Sequence, residues 1–170
     1  TPVSEIMDQP DYLVVANIPY YITSAIMRHL LEGKPTPRRI VLTIQKEVAE
    51  RVCAGPGDLS LLALSVQVYG KPSIAGIIPA VAFHPAPKVD SAILRVDIYP
   101  EPLIPREMLP TFFKLTKAGF SQKRKTLRNS LSSGLHIKPE EAGELLTAAC
   151  INPMRRAETL SIEEWKVLCE

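Results

Sequence analysis

The sequence predicts an α/β unit followed by a smaller all-α unit, and three observations carry that prediction. Up to about residue 100, strand-like and helix-like runs alternate; Tyr99-Pro100-Glu101-Pro102-Leu103-Ile104-Pro105 then breaks both patterns; beyond it the periodicity is helical throughout. Proline fixes φ and removes an N–H, so three prolines in six residues neither continue a strand nor start a long helix. The expected division is therefore 1–100 and 101–170.

The elements follow in order. Tyr12–Ala16 is a continuous, β-branched apolar run and reads as a buried strand. Thr23 or Ser24 is placed to cap a helix with Ile26, Met27, Leu30 and Leu31 on one stripe, ending at Gly33. Past Pro35 and Pro37, Arg39–Ile44 is a second strand and Lys46–Cys53 a short helix, an alternation that implies parallel pairing through right-handed crossovers. Leu59–Tyr69 reads as a buried helix closed at Gly70. Ile74–Phe83 and Ser91–Tyr99 are β segments close enough in sequence to pair antiparallel. In the second unit, Leu109, Phe112, Phe113, Leu115 and Thr116 begin one helix and Thr126–Leu131 another. Pro139 opens a third, and Ser161 with Glu164 forms a capping box for Trp165–Leu168.

Composition narrows the function. The chain is 46% hydrophobic, enough for a real core, and no apolar run approaches a membrane span. Thr1–Pro10 lacks the basic-then-apolar order of an export leader. Cys53, Cys150 and Cys169 are too scattered for a disulfide framework, so a cytoplasmic protein is expected. His29, His84 and His136 lack partners at ligand spacing, so no metal site is expected. Net charge is only +2, but its distribution is uneven. Between Met108 and Pro139 there is no acid, while Lys114, Lys117, Lys123, Arg124, Lys125, Arg128 and Lys138 all fall there. A solvated helix face ordinarily mixes signs; unrelieved positive charge favours a polyanion partner.

The chemistry-bearing motif is Asn17-Ile18-Pro19-Tyr20, at the end of the first strand-like run. An exocyclic amine on adenine is a poor nucleophile because its lone pair is delocalised into the ring. Two acceptors on its hydrogens, the Asn17 side-chain oxygen and a main-chain carbonyl beside Pro19, would localise that pair. Pro19 has no competing N–H and its fixed φ holds the turn. Tyr20 offers a ring for the base, and Phe83, within Ala82-Phe83-His84-Pro85-Ala86-Pro87-Lys88-Val89-Asp90-Ser91-Ala92, can cover the opposite face.

These two segments, followed by the basic stretch Phe120-Ser121-Gln122-Lys123-Arg124-Lys125-Thr126-Leu127-Arg128-Asn129-Ser130-Leu131, resemble in that order the ribosomal RNA adenine dimethyltransferase family. The resemblance extends to Gln45–Arg51 and Arg156–Ser161. It implies transfer of methyl groups from S-adenosylmethionine to two adjacent adenosines near the 3′ end of small-subunit rRNA, the partner being rRNA within the immature small subunit. It also implies a fold: the C-terminal half of a Rossmann-like class I methyltransferase sheet, its final strand antiparallel, followed by a small all-α domain. In residue terms it implies Asn17, Pro19, Tyr20 and Phe83 at the reacting base, Asn17 and Ile18 against the methyl donor, and Lys117, Lys123, Arg124, Lys125 and Arg128 on RNA.

The family further has an N-terminal half with a glycine-rich loop after its first strand. Here the nearest match is Gly55-Pro56-Gly57, where the proline and the position make a phosphate or nucleoside cradle implausible. The expectation is a C-terminal portion that is inactive alone, with either that further half or a second copy covering the strand edge at 12–16. Related Asn/Asp-Pro-Pro-Tyr sites methylate DNA adenine or a protein glutamine amide; Ile18 at the second position and the basic stretch argue against those substrates. A non-catalytic nucleic-acid-binding role is disfavoured by Asn17, Tyr20 and Phe83 occurring together.

Overall fold

The computed structural model describes residues 11–170, so the reading of Thr1–Pro10 as unlike an export leader lies outside the described residues. The chain divides into two compact units. One contains residues up to Cys53 together with Ser65–Glu101; the other contains Ala54–Leu64 and Pro102–Glu170.

The first unit is a four-stranded sheet with helices. In chain order it comprises β1 (Leu13–Asn17), α1 (Thr23–Glu32), β2 (Arg39–Gln45) and α2 (Lys46–Val52). After α3 (Leu61–Gln67), in which the unit boundary falls, come β3 (Gly70–Ile78) and β4 (Ser91–Ile98). The sheet order is β1-β2-β4-β3. β1 runs parallel to β2, whereas β4 runs antiparallel to both β2 and β3, so the last strand in sequence is inserted between two earlier ones. Interior position explains burial: Ile40, Leu42 and Ile44 of β2 and Ala92, Leu94 and Val96 of β4 are fully buried. Met27 and Leu31 of α1 and Ala49 and Val52 of α2 add to this core.

Several expectations need correction. The apolar run of β1 reads as a buried strand, whereas among the described residues β1 lies at the sheet edge with Val15 76% exposed; this is the edge at 12–16 for which the sequence expects a further half or a second copy as cover. A continuous apolar run registers burial potential; it does not report which strands lie alongside. Neither Thr23 nor Ser24 caps α1: the helix begins at Thr23, whose Oγ1 donates back to the Tyr20 carbonyl at 3.1 Å. A 3₁₀ turn over Tyr20–Ile22 leads directly into the helix and supplies the carbonyl. β3 starts earlier than expected, at Gly70, and ends at Ile78; Ala80–Ala82 form a 3₁₀ turn before Phe83. Pro72 is tolerated because β3 is the other edge, and a bulge lies between Ile74 and Gly76. Gly70 permits close approach there, since a Cβ would meet the Asp97 carbonyl at 2.7 Å. The helix expected over Leu59–Tyr69 is shorter, Leu61–Gln67.

The second unit is helical: α4 (Leu109–Gly119), α5 (Leu127–Leu135), α6 (Pro139–Ala148) and α7 (Ile162–Val167). Trp165, Phe112, Ile104, Leu127, Leu131 and Leu146 are its largest fully buried side chains apart from Leu64. The Phe120 ring stacks on Trp165 with centroids 6.1 Å apart. Ser161 caps α7 as its sequence predicts, accepting from Glu164 N–H at 3.2 Å while the Glu164 carboxylate accepts from Ser161 N–H at 2.8 Å. Gly55-Pro56-Gly57 is a turn in this unit, with Gly57 at φ +110° and its N–H donated to the Glu158 carbonyl.

Candidate active site

β1 delivers Asn17 to its carboxyl end, level with Thr43 of β2. Carboxyl ends of parallel strands are where open α/β sheets place their ligands. Pro19 then turns the chain, at φ −59° and ψ 136°, into the 3₁₀ turn that carries Tyr20. The Pro19 carbonyl accepts from Ile22 N–H at 3.2 Å. The Pro19 carbonyl is thus already engaged in the turn, although a carbonyl oxygen has a second lone pair.

Asn17, Ile18, Pro19 and Tyr20 line one open cleft of about 350 Å³ together with Phe83, Pro85 and Pro87. The sequence motif and the proline-rich loop therefore converge, as required of two walls around one planar ligand. Tyr20 is anchored at its far end: its Oη lies 2.6 Å from Oγ of Ser91, the first residue of β4. Phe83 follows the Ala80–Ala82 turn, whose opening N–H, that of Ala80, donates to Asp90 Oδ1 at 2.9 Å. In the sequence, Asp90 and Ser91 stand out only as part of a loop. Their signal, two polar residues immediately before a buried β run, is weak in one sequence because loops are ordinarily polar at that position.

Two sets of cationic residues, one in each unit, differ in their surroundings. In the first, Arg28, Arg38, Arg39, Lys46 and Arg95 each lie within ion-pair distance of a carboxylate. The Arg95 guanidinium, with Arg39 beside it, holds the Asp97 carboxyl below its usual range against the opposing effect of burial. In the second unit, Lys117, Lys123, Arg124, Lys125 and Arg128 are exposed, and among the described residues none has a carboxylate in ion-pair range. They stand on the last turn of α4, on the connection to α5 and on the first turn of α5.

That connection is held by main-chain bonds. Leu127 N–H donates to the Arg155 carbonyl at 2.6 Å and Arg128 N–H to the Pro153 carbonyl at 3.2 Å. The free N–H groups at a helix start are a natural anion site. Here two of them, those of Leu127 and Arg128, are occupied by carbonyls of the loop 153–155. Arg155 is fixed in turn by a two-toothed pairing with the Glu164 carboxylate and by a bond from its Nη2 to the Thr159 carbonyl at 2.6 Å. The hydrogen bond from Arg155 holds the Glu164 carboxyl below its usual range.

Among the described residues, no group of three or more His, Cys, Asp and Glu side chains is arranged to hold a metal ion, and no helix is long and apolar enough to cross a membrane.

Comparison with known proteins gives a consistent result. The family model described as ribosomal RNA adenine dimethylase matches residues 3–168. A protein of Dehalococcoides mccartyi named ribosomal RNA small subunit methyltransferase A is 48% identical over 170 residues, which cover 99% of this chain and 58% of that protein. A Desulfitobacterium hafniense protein of the same name is 44% identical over 160 residues, 93% of this chain and 57% of its own. Among solved structures, a dimethyladenosine transferase from Plasmodium falciparum superposes with a TM-score of 0.73 at 25% identity, covering 92% of this chain and 65% of that one. The 23S rRNA methyltransferase ErmE gives 0.69 at 27% identity, covering 94% and 64%. The chain thus spans little more than half the length of the curated relatives it matches. With a family model matched along nearly its whole length and relatives at this identity, the chain belongs to the ribosomal RNA adenine dimethylase family.

Proposed function

We propose that this chain carries the base-binding and RNA-gripping parts of an enzyme that dimethylates the exocyclic amines of two adjacent adenosines near the 3′ end of small-subunit rRNA, with S-adenosylmethionine as donor. The observation that carries the reading is the convergence of Asn17, Ile18, Pro19 and Tyr20 with Phe83 on one cleft. The names of the relatives support the small-subunit substrate.

In this reading the target adenine leaves its helix and stacks between Tyr20 and Phe83. The Asn17 side-chain oxygen and a main-chain carbonyl beside Pro19 accept from its amine, localising the nitrogen lone pair as positive charge develops there. Pro19 keeps the turn rigid and offers no donor that would compete. Asn17 and Ile18, exposed and buried respectively at the carboxyl end of β1, fit one margin of a donor site. S-adenosylmethionine, when bound, supplies an electrophilic methyl group, and the residues described here hold and orient the acceptor. Lys117, Lys123, Arg124, Lys125 and Arg128 bind rRNA phosphates, within the immature small subunit in the cytoplasm. Residues 1–100 form the methyltransferase part and 101–170 the rRNA-binding part, with the turn around Gly55 and Leu59 grouped with the latter.

The test is methyl transfer by the protein expressed from its complete gene. Labelled S-adenosylmethionine and small subunits isolated without this modification should yield two adjacent dimethyladenosines by mass spectrometry of the rRNA. Absence of label from the rRNA would overturn the reading.

A further inference from the structure

We infer that Asp90 and Ser91 are positioning residues that together fix the two aromatic walls of the base cleft. The inference rests on the reading of Tyr20 and Phe83 given above and deepens it.

Ser91 is the first residue of β4 and is paired in register with Gln45 of β2 on one side and Ile78 of β3 on the other. An interior strand cannot drift, so its first residue is a rigid mounting point. Ser91 is fully buried although polar, and its Oγ lies 2.6 Å from Tyr20 Oη. Either oxygen can donate. A buried hydroxyl without a partner is costly, so this bond both satisfies Ser91 and tethers the far end of the Tyr20 ring. With its Cα held by the 3₁₀ turn after Pro19 and its hydroxyl held by β4, the ring has little freedom to swing out of the cleft.

Asp90 acts on the opposite wall. Its carbonyl accepts from Lys46 N–H at 3.0 Å, which ties it to the start of α2. Its Oδ1 accepts from Ala80 N–H at 2.9 Å, and the Ala80 carbonyl accepts in turn from Phe83 N–H at 3.2 Å. The carboxylate therefore closes the turn from which Phe83 projects. Adjacent residues thus set the spacing between two rings that lie far apart in sequence, and an aromatic sandwich depends on that spacing for its stacking energy and for the angle at which the amine meets its acceptors.

The experiment compares Ser91→Ala, Tyr20→Phe, their double variant, Asp90→Ala and Asp90→Asn in the protein expressed from its complete gene. Methyl transfer to small-subunit rRNA is followed as kcat and KM, and 3-fluorotyrosine at position 20 gives a ¹⁹F signal that needs no RNA. Loss of one hydrogen bond should lower kcat about tenfold in Ser91→Ala and in Tyr20→Phe, with KM for rRNA within about twofold of wild type. Because both remove the same bond, the double variant should fall no further than either single one. Asp90→Asn, which keeps the acceptor oxygen, should recover most of what Asp90→Ala loses. The ¹⁹F line should shift or broaden in Ser91→Ala. Multiplicative losses in the double variant, equal damage from Asp90→Asn and Asp90→Ala, or an unchanged ¹⁹F line would overturn the inference. Absence of methyl transfer by the wild type would instead remove the functional reading, and the ¹⁹F signal would still decide whether Ser91 holds Tyr20.

Discussion

Gly134 of α5 lies directly against Ala118 of α4: a Cβ at position 134 would stand 2.5 Å from the Ala118 Cα and 2.6 Å from its Cβ. The obstructing atoms are backbone or attached to it, so no rotamer change relieves them. Gly134→Ala must therefore push α5 away from α4, and overpacking of this kind costs about 1–3 kcal/mol. The basic connection 120–126 is strung between these two helices, so the same displacement should weaken RNA binding. Urea unfolding and an RNA-binding titration of the variant measure both effects; unchanged stability would contradict the close approach.

The base cleft makes a more local prediction. Removing one stacking ring should cost about 1–3 kcal/mol of base binding. Tyr20→Ala and Phe83→Ala should each cut methylation strongly while leaving affinity for the small subunit nearly intact, because phosphate contacts dominate that affinity. Filter binding and methyl transfer measured side by side separate the two. Full turnover in both variants would remove the sandwich.

Asn17 is expected to act in the chemical step. An acceptor that gains strength only as charge develops on the amine nitrogen contributes to the transition state more than to the ground state. Asn17→Ala should accordingly lower kcat and kcat/KM together, with little change in RNA affinity. A variant altered in RNA affinity alone would show that Asn17 does not hold the amine.

Much of this architecture is legible in the sequence, and the reasons for the remainder are physical. β2, β4 and the α4–α7 pattern follow from apolar periodicity, which is strong wherever an element is packed on the core; Ile40, Leu42 and Ile44 show it. Asn17-Ile18-Pro19-Tyr20 is legible because Pro and Asn constrain the backbone and the chemistry at once. The Tyr20–Ser91 bond is not, since a serine at a strand start has many ordinary uses and only the sheet order brings β4 beneath the turn. The apolar run 12–16 by itself carries no label for edge or interior; the expectation of an edge there comes from the resemblance, and Val15 is exposed. Arg155 escapes a sequence reading for a similar reason: the capping box already accounts for its partner Glu164, and in the structure one carboxylate serves both Ser161 and Arg155.

The basic connection should position rRNA through phosphates. Two helix-start N–H groups of α5 are taken by the Arg155 and Pro153 carbonyls and are not offered to a phosphate, while the cationic side chains around them are exposed. Replacing Lys123, Arg124, Lys125 and Arg128 by neutral residues should flatten the dependence of log affinity on log salt by roughly 0.7–0.9 for each phosphate no longer neutralised. Binding measured across a salt series reads this slope directly. An unaltered slope would return the stretch to the status of a solvated face.

Acid should loosen the same region, through Glu164. Its carboxyl is held below the usual range, first by the hydrogen bond from Arg155 and also by the Ser161 N–H, with burial acting the other way. A carboxylate depressed in the folded state contributes stability that is fully present above its unfolded value, about 4.3, and is lost as pH falls through the folded value. The pairing is partly exposed and therefore screened, so the effect is a direction and not a large loss. Its structural reach is longer than its energy suggests, because Arg155 sits in the loop whose carbonyls hold the first turn of α5. Thermal unfolding of wild type and Glu164→Gln from pH 7 to pH 3 should show the wild type more stable at neutral pH and the two converging in acid. A gap that does not narrow at all as pH falls would mean that the charge of Glu164 does not hold the loop in place.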